Sequence, residues 1–367
     1  MKDTFDKVVM DESKKAEIRN SMMQSKAKVS RLGVQIAAAA TALVIATPIV
    51  VNAATGGELF GRLWGNIGKK NVPSHQATVI DDGKTDDKGN PVTHTEVMPR
   101  IEYVAHDPEE AERLIGGKYT TTPVVTTIGD TTISVETVVR DGMGYVVAFS
   151  VEREAGVDCL TYSQQDNEGM GARMSEDTNI EFGFEGGEGK IWVDLESSTK
   201  TKLNCYEYLS DLSALNPKGE AKPITDHITL VCRELTKTRK EIADMNLEKG
   251  SKSFIKDEKT VKIPVAEKLA SKTFKAANGE TIKLSPIAMQ WDSTGGKESK
   301  GNNLDSVNSF KITYNDGSEY IIFDRNNPVA SYGVLTNSDT GFIVLFNRLV
   351  DAEKVAKITV NDTVFVK

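Results

Sequence analysis

Most of the residue constellations that mark catalytic sites are missing from this chain of 367 residues. It has three cysteines, Cys159, Cys205 and Cys232, with no C-x-x-C pair among them. An odd count leaves at least one thiol free, which argues against a disulfide scaffold and leaves free thiols or a single bridge. Four histidines, His75, His94, His106 and His227, include no H-E-x-x-H and no paired spacing, so zinc has no evident cage. No G-x-S-x-G is present, which removes the usual cue for a serine hydrolase elbow. The glycine-rich stretch 183–190 misses the phosphate-loop spacing, and Ile191 stands where a Mg²⁺-binding hydroxyl belongs. Glu185 and Glu188 there repel phosphate, so the stretch reads as a hairpin turn. Glu176, Asp177, Glu181, Glu185 and Glu188 are numerous enough to attract Ca²⁺, but their spacing matches no calcium loop, and a solvated acidic face is the reading. Positive charge is also short, with 45 Lys and Arg against 53 Asp and Glu and a net charge of −8, which argues against nucleic acid as a partner. The expectation is a protein that is not an enzyme and that has no cofactor and no metal.

Long apolar runs are absent too, except for one. Residues 32–54 contain no charge, and at about 1.5 Å per residue they extend roughly 35 Å, enough to cross a hydrocarbon core of about 30 Å. Lys26, Lys28 and Arg31 precede this run, whereas Thr55, Gly56, Gly57 and Glu58 follow it. Cytoplasmic flanks carry the excess of basic residues, so the N-terminus is expected inside and the C-terminus outside. A cleaved signal peptide ending at Val51-Asn52-Ala53 is the competing reading. The polar head of residues 1–31 and a run longer than the usual h-region of about 7–15 residues favour a retained anchor in the cell membrane.

The anchor separates regions of opposite charge. Residues 1–31 carry eight basic and five acidic residues, a net of +3, and residues 55–367 carry 37 and 48, a net of −11. In the head, Phe5, Val8 and Val9 recur at i, i+3, i+4, and Ile18 with Met22 repeats the i, i+4 step. A segment this short builds no core of its own, so these five residues face a partner, the membrane surface or solvent, and they are the candidate partner-binding stripe. After the anchor, Leu59, Phe60, Leu63, Trp64 and Ile67 fall on one helical stripe within the piece 55–100, which reads as an amphipathic helix at the outer interface or as a first core helix of the ectodomain. Residues 71–100 then lose periodicity and read as a linker.

Beyond residue 100 the period becomes that of strands, after one helical cue in which Asp107 caps and Pro108 opens a helix. Alternation over 132–139, the turn Asp141-Gly142 and the run 145–151 predict a hairpin. Strands are also expected over 180–184, 191–195 and 227–235, with 236–252 a charged connection. Asn278-Gly279 and Asn315-Asp316-Gly317-Ser318 mark further hairpin turns, and 342–346 reads as a buried strand. The expected fold is mainly β: one N-terminal transmembrane helix followed by two extracellular β-sandwich-like domains, 101–260 and 261–367.

Several of these pieces together carry a resemblance. The head reads Phe5-Asp6-Lys7-Val8-Val9-Met10 and then Lys14-Lys15-Ala16-Glu17-Ile18-Arg19, ahead of a single span. Leu59-Phe60-Gly61 and the hairpin Thr132-Ile133-Ser134-Val135 to Tyr145-Val146-Val147 follow. Over about the first 155 residues this resembles the anti-sigma-factor-like single-pass membrane proteins of Gram-positive bacteria, whose extracytoplasmic domain is of unknown function. The head differs from that of zinc-type anti-sigma proteins in having neither His nor Cys. The resemblance implies a signalling protein whose head holds a cytoplasmic sigma factor while the outer domains sense an extracellular ligand that the sequence does not name. The alternative is a membrane-anchored structural or adhesive surface protein with a head that only sets topology.

Overall fold

Alternation and turn chemistry dominate the chain, and its fold is mainly β. The structure is a computed structural model that describes residues 75–76, 80–85, 91–94, 97–98, 100, 107–120, 123–162, 170–215, 221–245, 252–293, 307–338 and 341–367. Among these no helix is long and apolar enough to cross a membrane. The uncharged run 32–54 lies outside the described residues, as do Phe5, Val8, Val9, Ile18, Met22, Lys26, Lys28, Arg31, Leu59, Phe60, Leu63, Trp64 and Ile67.

The first β body is built on a seven-stranded antiparallel sheet. Its spatial order is Val124–Ile128, Thr131–Arg140, Gly144–Glu152, Lys202–Asp211, Gly187–Thr199, Met170–Met174 and Leu160–Tyr162. Tyr145, Val147, Phe149 and Val151 point to one face and share an apolar cluster with Phe182, Phe184, Ile228 and Leu230. Those partners come from a second sheet, ordered Ile180–Glu185, His227–Leu235 and Ile255–Pro264, so two sheets face each other across one core. Phe149 meets Phe182 and Phe184 edge-on, with centroids 5.8 and 5.7 Å apart, the geometry that aromatic quadrupoles prefer.

The glycine-rich stretch 183–190 is a corner between these two sheets. Strand Ile180–Glu185 belongs to the three-stranded sheet and Gly187–Thr199 to the seven-stranded one, with only Gly186, at φ +84°, between them. A Cβ on Gly187 would come within 2.5 Å of the Tyr145 hydroxyl and 2.8 Å of Leu209 Cβ. Only glycine lets the chain cross there.

The run 145–151 has almost no polar residues, and its strand, Gly144–Glu152, is buried at every position but the last. Such a strand is covered on both faces. The neighbouring strands Lys202–Asp211 and Gly187–Thr199 pack on the second β body, a ten-stranded sheet around a separate cluster that includes Phe274, Trp291, Phe310, Phe342, Phe346 and Phe365. The order is Val329–Ala330, Glu319–Asp324, Ser309–Tyr314, Val355–Val360 and Thr363–Val366, then Lys272–Ala276, Thr281–Leu284, Ala288–Asp292, Gly341–Leu345 and Val334–Ser338. The first and last of these strands are consecutive in the chain. Ser331 N–H donates to the Ile322 carbonyl (2.9 Å) and Gly333 N–H to that of Leu345 (2.8 Å), so one bent segment ties both margins and curls the sheet on itself.

Two stretches hold more structure than their patterns suggest. Within 71–100, His75–Gln76 pairs with Val97–Met98 and Ile80–Thr85 with Pro91–His94, in ladders too short or too polar for alternation to be read. Within 236–252 a helix, Arg239–Asp244, forms behind a capping box between Thr238 and Glu241. Six residues with only Ile242 buried give no helical period to detect.

Candidate functional site

The cleft of interest is assembled from three segments. The first is helix Pro108–Ile115, where Asp107 accepts the N–H groups of Glu109 (2.9 Å) and Glu110 (3.2 Å), Pro108 opens the first turn, and Gly116 closes the last at φ +55°. Ala111 and Ile115 are buried, and this seating turns Glu110 and Arg113 toward the second β body. The second segment is the turn after Tyr314, where Asp316 accepts from the backbone N–H (2.9 Å) and hydroxyl (2.6 Å) of Ser318. The third is the loop carrying Leu349, Asp351 and Lys354, in which Asp351 accepts the Glu353 N–H at 2.9 Å. Together they enclose about 330 Å³, lined by Glu110, Tyr314, Asn315, Asp316, Ser318, Leu349, Asp351 and Lys354.

Ion pairs organise the cleft. Arg113 donates to Asp351 at 2.5 Å and to Glu110 at 3.3 Å, and Lys354 donates to Glu110 at 2.5 Å. The hydrogen bond to Asp351 holds the Arg113 guanidinium above its ordinary value, and the bond to Glu110 does the same for the Lys354 ammonium. Burial pushes the Tyr314 phenol up to about 12. Asp316 is held below the usual carboxylate range by its bond from Ser318, which makes it a weak base for that hydroxyl. The arrangement therefore acts as a clamp between helix and loop, because both cations are already engaged and the serine is not activated.

A second group of polar side chains lies where the two β bodies meet. Asp141 is buried. It accepts the N–H groups of Met143 (2.6 Å) and Gly144 (2.8 Å) through one oxygen and the Ser285 hydroxyl of the other body through its second. Trp192 Nε1 donates to the Gly333 carbonyl (3.2 Å), Ser210 to Thr336 (3.1 Å) and Gln290 to the Ala214 carbonyl (3.2 Å). Tyr208 lies against Gly333, where a Cβ would come within 2.5 Å of its ring. Burial pushes the Asp141 carboxyl up to about 6 despite its three donors.

The residues that sequence reasoning singles out are dispersed. Cys159, Cys205 and Cys232 are buried free thiols in the first core, and burial pushes Cys159 and Cys232 up to about 12. Among the acidic residues, Glu181 is paired with Arg239 at 2.9 Å, and among the described residues no group of three His, Cys, Asp or Glu is arranged to hold a metal ion. His227 meets Asp226 at the surface. Asp141 reads in the sequence only as a turn residue. Glu207 leaves one trace there, a charge in the parity of Leu203, Cys205 and Leu209.

No family model matches the chain, and no curated protein matches it. Among solved structures it is similar to a conserved domain protein from Bacillus anthracis, at 13% identity, over 65% of this chain and 75% of that one, with a TM-score of 0.33. A likeness at that level carries no argument about fold or function.

Proposed function

We propose that the chain is a single-pass membrane signalling protein of the anti-sigma-factor-like kind. In this reading residues 1–31 hold a cytoplasmic sigma factor, as the resemblance implies, and two β-sandwich-like domains stand outside as a sensing or interaction ectodomain. The observation that carries it is the uncharged run 32–54 behind Lys26, Lys28 and Arg31, the one stretch long enough to span a bilayer and flanked for an inside N-terminus. The ion-pair clamp and the hydrogen-bonded seam support a role in presentation, since they tie segments together.

The test acts on the head. Fully burying an apolar side chain is worth about 1.5–3 kcal/mol, so replacing Phe5 and Ile18 by Ala together weakens partner capture by a factor on the order of 10² or more. A reporter at Lys367 remains extracytoplasmic and membrane-associated in both forms. A wild-type head that captures no sigma factor, or a double variant that captures it equally well, removes the signalling reading and leaves surface display.

A further inference from the structure

The interior of the first β body contains a carboxyl group with nothing to balance it. Glu207 occupies a core-facing position of strand Lys202–Asp211, opposite Ile191 on one side and Val147 on the other. It is 8% exposed, and its Oε2 has no hydrogen-bond partner. The titratable groups around it supply no positive charge. Tyr145 faces it from the neighbouring strand, Cys205 and Asp211 flank it on its own strand, and Cys159 and Cys232 belong to the same core. The facing sheet contributes Phe182, Phe184, Ile228 and Leu230. Arg140, paired with Tyr145 in the ladder, donates instead to the carbonyls of Ile224, Thr225 and Ala266.

A carboxylate in such a place is largely stripped of hydration, with Oε2 receiving no donor and no counter-ion close by, so the closed body accepts the neutral acid and resists the anion. Strand Lys202–Asp211 also carries the seam, because Tyr208 on its other face packs on Gly333 and Ser210 bonds to Thr336. We propose that Glu207 is a proton latch: the first β body closes over its neutral carboxyl, and loss of that proton opens the strand to water and loosens the hold on the second body. This device goes beyond the signalling reading and does not depend on it.

Burial alone pushes Glu207 up to about 8 from an ordinary value near 4.5. Between those values the closed state holds a proton that the open state releases, so opening becomes about tenfold easier per pH unit. Asp141, at about 6, has already ionised in the upper part of that window, which separates the two groups. The experiment is amide hydrogen exchange on the full chain, corrected for the intrinsic pH dependence of exchange. Protection of strand Lys202–Asp211 is expected to fall on the order of a hundredfold between about pH 6 and about pH 8, and Glu207→Gln should abolish the fall. Infrared spectroscopy of the wild type provides an arm that needs no variant: a neutral carboxyl band should persist to about pH 7. Equal pH dependence in wild type and variant overturns the proposal, and so does a wild type without that band.

Discussion

The two β bodies have similar numbers of strands and opposite interiors. The second closes its sheet through the bend at 331–333 around a cluster of phenylalanines, aliphatics, Trp291 and Tyr320, and its buried carboxylate, Asp351, is paired with Arg113. The first lays three strands against seven and encloses three thiols and Glu207 among its apolar side chains. The contrast shows what closure permits. In the curled sheet the buried carboxylate Asp351 is paired with Arg113, whereas the facing sheets of unequal width hold Glu207 without a charged partner, so that its charge state can alter the packing. On this argument the second body supplies rigidity and the first supplies response.

The largest effect expected is in the closed body. Phe310 is fully buried and packs on Phe342 and Phe323, with centroids 5.1 and 5.9 Å away. Phe310→Ala should cost about 3–5 kcal/mol, toward the upper end, because walls fixed by closure cannot relax into the cavity. Phe149→Ala, in the first core, should cost less, since facing sheets can settle toward each other. Chemical denaturation of the two variants measures the difference. Equal losses would break the comparison.

An intermediate effect belongs to the seam and depends on pH. Asp141 is raised to about 6 from an ordinary value of 3.8, so the native state binds a proton that the unfolded chain has released. Stability is therefore full below about 3.8 and is lost as pH rises through about 6, by about 3 kcal/mol as an upper bound. Asp141→Asn keeps an acceptor for the Met143 and Gly144 N–H groups and cannot ionise. Its melting temperature should fall less steeply over that window than the wild type's, with the remaining slope coming from Glu207. Parallel curves would mean that Asp141 does not titrate at the seam.

What the sequence could and could not convey follows the range of each interaction. The cap at Asp107, the hairpin around Asp141-Gly142 and the twice-buried run 145–151 were legible because each depends on neighbours a few residues away. Strand Lys202–Asp211 was not, because Asn204 and Glu207 interrupt its apolar pattern and its two covers come from distant segments. The seam was hidden for the same reason, since Asp141 and Ser285 are 144 residues apart. The stretch 183–190 reads as a hairpin turn, but the strands on either side of Gly186 belong to different sheets and do not pair, a change of partner that turn chemistry does not signal.

The smallest effect expected is at the cleft, and it bears on whether the clamp there is a second seam. Arg113 is about half exposed, while its partner Asp351 is nearly buried and also accepts the Glu353 N–H. An exposed cation gains little from such a pair, because water solvates it well when the pair breaks and salt screens the attraction within about 10 Å. Removing the guanidinium leaves Asp351 with a backbone donor and with Lys354 at 3.8 Å, so the carboxylate is not stranded. Arg113→Met, which retains most of the apolar stem, should shift the melting temperature by less than about 2 °C, and the shift should shrink as salt is added. If the loss instead matches the pH-dependent effect of Asp141 and ignores salt, helix Pro108–Ile115 is held to the second body as firmly as the first body is, and response in this molecule is not confined to one side.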